Sequence, residues 1–160
     1  MQQNLPNLAP VQLLVNTVMR WAESRLQETG RIPAAAAWLL RGNPESEFRA
    51  IGSAEDLPAL SVAEQEKMLA TELRGPWQRD ELDAILLAAP VLYGRSGSGE
   101  RSPAVRLHVE AREGYCADIL MPYRIRTGWR RRGTSRNRVH FSHPVAQESD
   151  SRFSESRGPA

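Results

Sequence analysis

Two consecutive segments that alternate between apolar and polar residues constrain the fold of this chain most. They span 104–112 and 115–126, and the turn residues Glu113 and Gly114 separate them. Alternation places every second side chain on one face of a sheet, and a short turn joins strands that pair antiparallel. An apolar run over 84–93 precedes them and is followed by a Gly/Ser-rich connector. The pattern predicts an antiparallel meander with one buried and one polar face.

Two amphipathic helices are predicted before the meander. The first spans about 10–29, with apolar residues at helical spacing between a proline at its start and a glycine after its end. The second spans about 62–74. It begins at the capping box Ser61–Glu64, in which two side chains satisfy backbone N–H groups, and it is expected to end at the Gly75–Pro76 pair.

A β-hairpin is predicted between the two helices. The apolar segment 32–40 and the alternating segment 47–51 flank Arg41–Pro44, which carries a turn signal. The first of these segments contains four consecutive alanines. Alanine favours helix, so it fits a strand only where a helix packs closely on it.

The order of elements is α-β-β-α-β-β-β with a possible last strand over 139–145, and this order predicts an α+β fold. We expect an antiparallel sheet of about five strands with two helices packed on one face. This order resembles that of profilin-like and roadblock-like domains, most of which are binding modules. A single domain is predicted over residues 1–147. The polar stretch 148–160 is predicted to be a disordered tail, because its Ser, Glu, Arg, Gly and Pro content buries little.

The composition excludes several protein classes. With 160 residues and ordinary globular content, the chain is long enough for a real core. Cys116 is the single cysteine, so no internal disulfide forms. No apolar run approaches the roughly 18–20 residues of a membrane helix, and no segment resembles a secretory signal. These features predict a cytoplasmic protein that does not bind a membrane.

A basic segment between Tyr123 and Arg138 is the main candidate binding site. Residues 84–160 carry 13 basic and 7 acidic side chains, and Lys67 is the only lysine among 21 basic residues. This arginine skew is explained as well by a GC-rich bacterial genome as by phosphate binding. The candidate residues for binding nucleic acid or an acidic partner are Arg124, Arg126, Trp129, Arg130, Arg131, Arg132, Arg136 and Arg138. Arginines beside Tyr123 and Trp129 would suit phosphates and stacked bases, whereas the simpler interpretation is a solvated hairpin loop.

His140 and His143 form the candidate for a metal-dependent hydrolase. The run His140–Pro144 resembles the His-x-His-Pro element of JAMM-type zinc isopeptidases, but two residues rather than one separate its histidines. On a strand, side chains at i and i+3 point to opposite faces, so this spacing argues against joint ligation. The sequence therefore predicts no metal site and no cofactor.

Four further polar residues fall on the two alternating segments. Cys116 and His108 would offer a thiolate and its base, and Glu110 and Asp118 would offer a pair of carboxylates. The favoured interpretation is a small core cysteine and surface carboxylates paired with arginines. Whether the four converge depends on the strand register, which the sequence leaves open. No catalytic residue is assigned.

The function predicted from these observations is that of a small non-enzymatic binding or regulatory protein. It would act in the bacterial cytoplasm through a protein partner, as an accessory or immunity-type factor. Two alternatives remain: a nucleic-acid-binding protein that uses the arginine-rich loop 123–138, and a metal-dependent hydrolase that uses His140 and His143. The oligomeric state stays open.

Overall fold

The computed structural model describes residues 8–51, 60–94, 99, 101–127 and 137–153, and within them the chain forms two helices and seven strands. In chain order the elements are α1 (Ala9–Thr29), β1 (Ala35–Leu40), β2 (Ser46–Ala50), α2 (Val62–Gln78), β3 (Leu82–Tyr93), β4 (Ser102–Ala111), β5 (Cys116–Thr127), β6 (Asn137–Phe141) and β7 (Val145–Glu148). The predicted α+β class and element order are confirmed. In these ranges neither helix has the length and apolar character needed to cross a membrane.

All the strands belong to one antiparallel sheet. Six of them follow the order β2-β1-β3-β4-β5-β6, and β7 pairs with β5 outside this path. Two strands pair with different parts of the same edge of the long strand β5. Its residues Ala117–Leu120 pair with β7, and its residues Tyr123–Thr127 pair with β6. The sheet has seven strands rather than about five, in part because the segment expected to form one last strand forms two short ones.

The two helices pack on opposite faces of the sheet, so the prediction that they share one face is wrong. The buried side of α1 packs against one set of alternating residues of β1, β3 and β4, and α2 packs against the other set from β1 and β3. The central strands are therefore buried on both sides, as in β3, where Ile85, Leu86 and Leu87 are all inaccessible. A continuous apolar run is typical of a strand covered on both faces.

The alanine run forms the most tightly covered part of the sheet. Ala35 and Ala37 face α1, whereas Ala34 and Ala36 face α2, and all four are completely buried. Small side chains let both helices approach the backbone closely, which is the condition under which alanine suits a strand. The predicted hairpin is confirmed by the antiparallel pairing of β1 and β2.

The second helix continues beyond the predicted end at Gly75. Pro76 lies inside its last turn, and the helix ends at Gln78. The proline removes one backbone donor, but Trp77 beside it is only 5% exposed and packs in the core. The guanidinium of Arg112 lies 3.9 Å from the centre of that indole ring. The burial of Trp77 and this cation–π contact hold the turn helical.

The segment predicted to be a disordered tail is ordered over its first residues. Glu148 ends β7, and residues 149–153 return to the α2 face of the sheet. Phe153 is fully buried there, with its ring centre 6.4 Å from that of Trp77. The burial of Phe153 and the hydrogen bonds beside it thus hold in place a segment whose polar composition predicts disorder. Residues 154–160 lie outside the described part of the chain.

Candidate functional site

The register between β4 and β5 brings together the four polar residues whose convergence the sequence left open. His108 lies opposite Asp118, and Glu110 lies opposite Cys116. Side chains two residues apart on a strand share a face. All four therefore lie on the face that carries α2, beside that helix, and we refer to them as the polar cluster.

The imidazole of His108 is the centre of the polar cluster and is only 1% exposed. Its Nδ1 lies 2.7 Å from Oδ1 of Asp118, and its Nε2 lies 2.6 Å from Oε2 of Glu110. A neutral imidazole has one donor and one acceptor, whereas an imidazolium has two donors. Both ring nitrogens of His108 are thus hydrogen-bonded to carboxylate oxygens. In this arrangement neither nitrogen faces a substrate as a base.

Glu110 is a buried carboxylate with three donors. Besides His108, the hydroxyl of Ser151 donates to its Oε1, and the backbone N–H of Arg152 donates to its Oε2 at 2.8 Å. Burial by itself raises the pKa of Glu110, but these hydrogen bonds outweigh it and hold the pKa below its ordinary value of 4.5. The interpretation of Glu110 and Asp118 as surface partners of arginines is therefore wrong, because both bind His108.

The C-terminal segment covers the polar cluster. The ring of Phe153 lies 6.3 Å from that of His108, centre to centre. The guanidinium of Arg152 binds one carboxylate oxygen of Glu66 on α2, and Nη2 of Arg106 donates to the other oxygen at 2.6 Å. Glu66 on α2 thus pairs with Arg106 on β4 and with Arg152 in the C-terminal segment, and these ion pairs lie over this part of the sheet.

Cys116 is a poor candidate for a nucleophile. Its Sγ lies 3.5 Å from the hydroxyl oxygen of Ser149. Burial raises the pKa of the thiol above its ordinary value of 9.0. The hydrogen bond to Ser149 lowers the pKa but does not offset burial, and the carboxylates of Glu110, Asp118 and Asp150 each raise it by smaller amounts. The group is therefore a thiol rather than a thiolate at neutral pH.

The described members of the basic segment share one face of the β5–β6 hairpin. Arg126 pairs with Arg138, and Arg124 pairs with His140, and all four side chains are exposed. We call these four residues the arginine face. Tyr123 points to the opposite side, where it is 7% exposed and its ring packs at 6.0 Å on that of Phe141. The remaining candidates lie outside the described residues: Trp129, Arg130, Arg131, Arg132 and Arg136.

The structure does not bring His140 and His143 into a ligand cluster. Both are exposed, His140 on β6 and His143 in the connection to β7. Among the described residues, one group has three or more potential metal ligands within 4.8 Å of one another, and it consists of His108, Glu110 and Cys116. The ligand-rich part of the chain is thus the polar cluster rather than the run predicted from the two histidines.

Sequence analysis missed the residues that the C-terminal segment and α2 add to the polar cluster. Ser151, Arg152 and Phe153 belong to a stretch whose composition predicts disorder, and Glu66 belongs to the polar pattern of a helix. The one available signal was Phe153, a large aromatic residue isolated among polar ones. Such a residue is exposed to water unless its segment docks on the domain, which argues for docking.

Comparisons with protein-family models, with curated proteins and with solved structures find no match. The function is therefore argued from the residues themselves. Two groups of residues stand out in the described part of the chain: the exposed arginine face, and the buried polar cluster, whose donors and acceptors are bonded to one another.

The lowered pKa of Glu110 predicts a specific dependence of stability on pH. Its ionised form stabilises the fold fully above the ordinary pKa of 4.5, and this contribution is lost as the pH falls through the lower folded-state pKa. Glu110→Gln should therefore flatten the decline of the free energy of unfolding below about pH 5. Urea denaturation at several pH values, with a chelator present, measures this. Glu28→Gln, at an exposed carboxylate, is the control, and equal curves for the two variants would contradict the assignment.

Proposed function

We propose that this chain is a small non-enzymatic binding protein that docks an acidic surface of a protein partner on the arginine face. The observation that carries this proposal is the register of β5 and β6, which sets Arg126 directly opposite Arg138 on an exposed surface. Like charges directly opposite each other destabilise a strand pair. A partner carboxylate between the two guanidinium groups would remove this repulsion.

The charges of the arginine face are available for such a partner. The ion pairs that arginines make within the described residues involve other side chains, namely Arg49, Arg79, Arg106, Arg112 and Arg152. A planar guanidinium binds a carboxylate through two parallel hydrogen bonds, which favours arginine at interfaces with acidic surfaces. Exposed arginines that make no ion pair within the described residues therefore support recognition more than they support stability.

The polar cluster supports the non-enzymatic part of the proposal. Both ring nitrogens of His108 are engaged with carboxylates, and Cys116 carries a protonated thiol at neutral pH. General base catalysis needs a nitrogen within reach of a substrate proton, and nucleophilic catalysis needs an activated nucleophile. The accessory or immunity-type role remains part of this proposal, because the sequence motifs offer no constellation of acid, base and nucleophile. The bacterial cytoplasmic location also belongs to it, suggested by the arginine skew and the single cysteine.

Nucleic acid is the second candidate ligand of the same surface. Arginines also bind phosphates, but the ring of Tyr123 is buried on the other face and does not stack there. Trp129, the other aromatic residue predicted to stack on bases, lies outside the described residues. An acidic protein surface requires neither ring, and it is the ligand that we propose. The described residues give no support to a hydrolase that uses His140 and His143, because the two histidines lie in no ligand group there.

Charge reversal on the arginine face tests the proposal. The variant Arg124→Glu, Arg126→Glu, Arg138→Glu should weaken partner binding by at least about 100-fold, because juxtaposed like charges cost several kcal/mol. The measurement is recovery of chemically crosslinked partners from the native host, followed by titration of the purified partner. Three exposed arginines elsewhere, changed to Glu at positions 20, 31 and 74, form the matched control.

The outcomes separate the two ligand classes. Loss of a protein partner in the arginine-face variant but not in the control supports the proposal. Retention of the same partner by both variants contradicts it. If nuclease treatment of the lysate removes all binding, and the purified chain binds an oligonucleotide with an affinity that falls steeply with salt, nucleic acid is the ligand instead.

A further inference from the structure

The polar cluster holds one nitrogen, one carboxylate and one thiol that converge from two neighbouring strands. The ligand atoms of His108, Glu110 and Cys116 all lie within 4.8 Å of one another. The histidine and the glutamate are inaccessible to solvent, and the cysteine is half-buried. Zinc prefers a combination of nitrogen, sulfur and carboxylate ligands, and three protein ligands with a water in the fourth position are a common arrangement.

Asp118 prepares the imidazole for this role. A metal-bound histidine usually donates its other ring N–H to a carboxylate, which fixes the tautomer and the ring orientation. Here Nδ1 lies 2.7 Å from Oδ1 of Asp118, so Nε2 is the nitrogen that faces Glu110. The carboxylate of Glu110 is oriented in turn by the hydroxyl of Ser151 and the N–H of Arg152. The prospective ligands thus have supporting hydrogen bonds of the kind that metal sites use.

The distances within the cluster suit exchange of a proton for a metal ion. Nε2 and Oε2 lie 2.6 Å apart, and one proton bridges them. Two ligands that each lie about 2.0–2.1 Å from a tetrahedral zinc ion are about 3.3 Å apart. A shift of less than about 1 Å, within the range of small side-chain rotations, would therefore open the gap enough for the ion.

We propose that His108, Glu110 and Cys116 bind a zinc ion, with Asp118 as the positioning residue for His108. The ion replaces the bridging proton on Nε2 and the thiol proton of Cys116. Glu110 also accepts hydrogen bonds from Ser151 and Arg152, so the zinc site and the docked C-terminal segment share one carboxylate. Loading with zinc should therefore slow proteolysis of that segment, which gives a readout independent of spectroscopy.

Cobalt(II) tests the proposal because it occupies zinc sites and is coloured. Metal-free full-length protein titrated with Co²⁺ should develop a thiolate-to-metal charge-transfer band and the visible bands of a tetrahedral ion, and Zn²⁺ should displace both. Cys116→Ser should lose the charge-transfer band. Asp118→Asn, at a partly exposed position, should weaken zinc binding about 10- to 100-fold.

The control is the double variant His140→Ala, His143→Ala, which removes two exposed histidines outside the cluster. It should bind Co²⁺ and Zn²⁺ as the wild type does. The proposal is overturned if wild-type protein shows no thiolate band in excess Co²⁺, if Cys116→Ser keeps that band, or if the control variant loses it. Equal zinc affinities of Asp118→Asn and wild type would remove the positioning role of Asp118.

Discussion

Replacing Phe153 by alanine should lower the free energy of unfolding by about 3–5 kcal/mol, the usual loss for a fully buried phenylalanine. Its side chain is inaccessible and packs in the same cluster as Leu69, Leu73 and Trp77 of α2. The truncation leaves a cavity beside the ring of His108 and weakens the attachment of the whole C-terminal segment. Urea denaturation followed by tryptophan fluorescence measures the loss.

Leu92→Ala is the matched control for this variant, because Leu92 is 65% exposed. An exposed truncation of this kind changes the free energy of unfolding by no more than about 0.5 kcal/mol. If Phe153→Ala is as stable as the control, the C-terminal segment does not contribute to the core. Increased cleavage after residue 148 without a change in global stability would indicate that the segment detaches locally.

Replacing His108 by leucine in the metal-free protein should destabilise the fold by about 3–5 kcal/mol, because it leaves a buried charge without its partner. The uncompensated group is the carboxylate of Glu110, which is only 2% exposed. Asp118, whose side chain is 28% exposed, regains water and loses less. The comparison of urea denaturation curves for wild type and variant gives this value.

A second change should recover part of that loss. In the double variant His108→Leu, Glu110→Gln the amide oxygen can accept from the backbone N–H of Arg152 while the amide NH2 donates to the hydroxyl oxygen of Ser151, and the buried charge is gone. We expect the double variant to be about 1–3 kcal/mol more stable than His108→Leu alone, within the range of coupling energies between residues in contact. Additive losses from the two single variants would show that the imidazole and the carboxylate do not form an ion pair.

The sheet was predictable because its strands carry local signals that agree with their surroundings. Alternation over 104–112 and 115–126 indicated the β4–β5 hairpin, and the turn at Glu113 and Gly114 indicated its position. The alanine run was ambiguous on propensity alone. It formed a strand because two helices cover it, and a pattern along one strand does not say how many helices lie above and below it.

The faces of the helices and the polar cluster were not predictable for a different reason. Which helix lies on which face depends on how the chain crosses the sheet, and each amphipathic helix fits either face equally well. The cluster depends on the pairing of His108 with Asp118, and a shift of one residue would send these side chains to opposite faces. Alternation limits the register without determining it.

The order of residues 148–153 was mispredicted because composition averages over a window. Ser, Glu, Arg and Gly dominate residues 147–160, and a stretch of this kind on its own does not bury enough apolar surface to become ordered. The order seen over 149–153 depends on one phenylalanine and on hydrogen bonds to Glu110 and Glu66, which are 40 to 90 residues distant in sequence. Contacts of this kind have no local signature.

The contacts of the C-terminal segment also determine when the domain is completed during synthesis. Arg152 binds Glu66 across a separation of 86 residues. The ribosome releases the chain from its N-terminus at about 5–20 residues per second, so Glu110 leaves it before Ser151 and Arg152 do. Until they emerge, the imidazole and its carboxylates stay open to water on a partly formed sheet. We therefore expect the cover over His108 to form slowly, because it depends on contacts distant in sequence, and to form only after Arg152 and Phe153 have emerged.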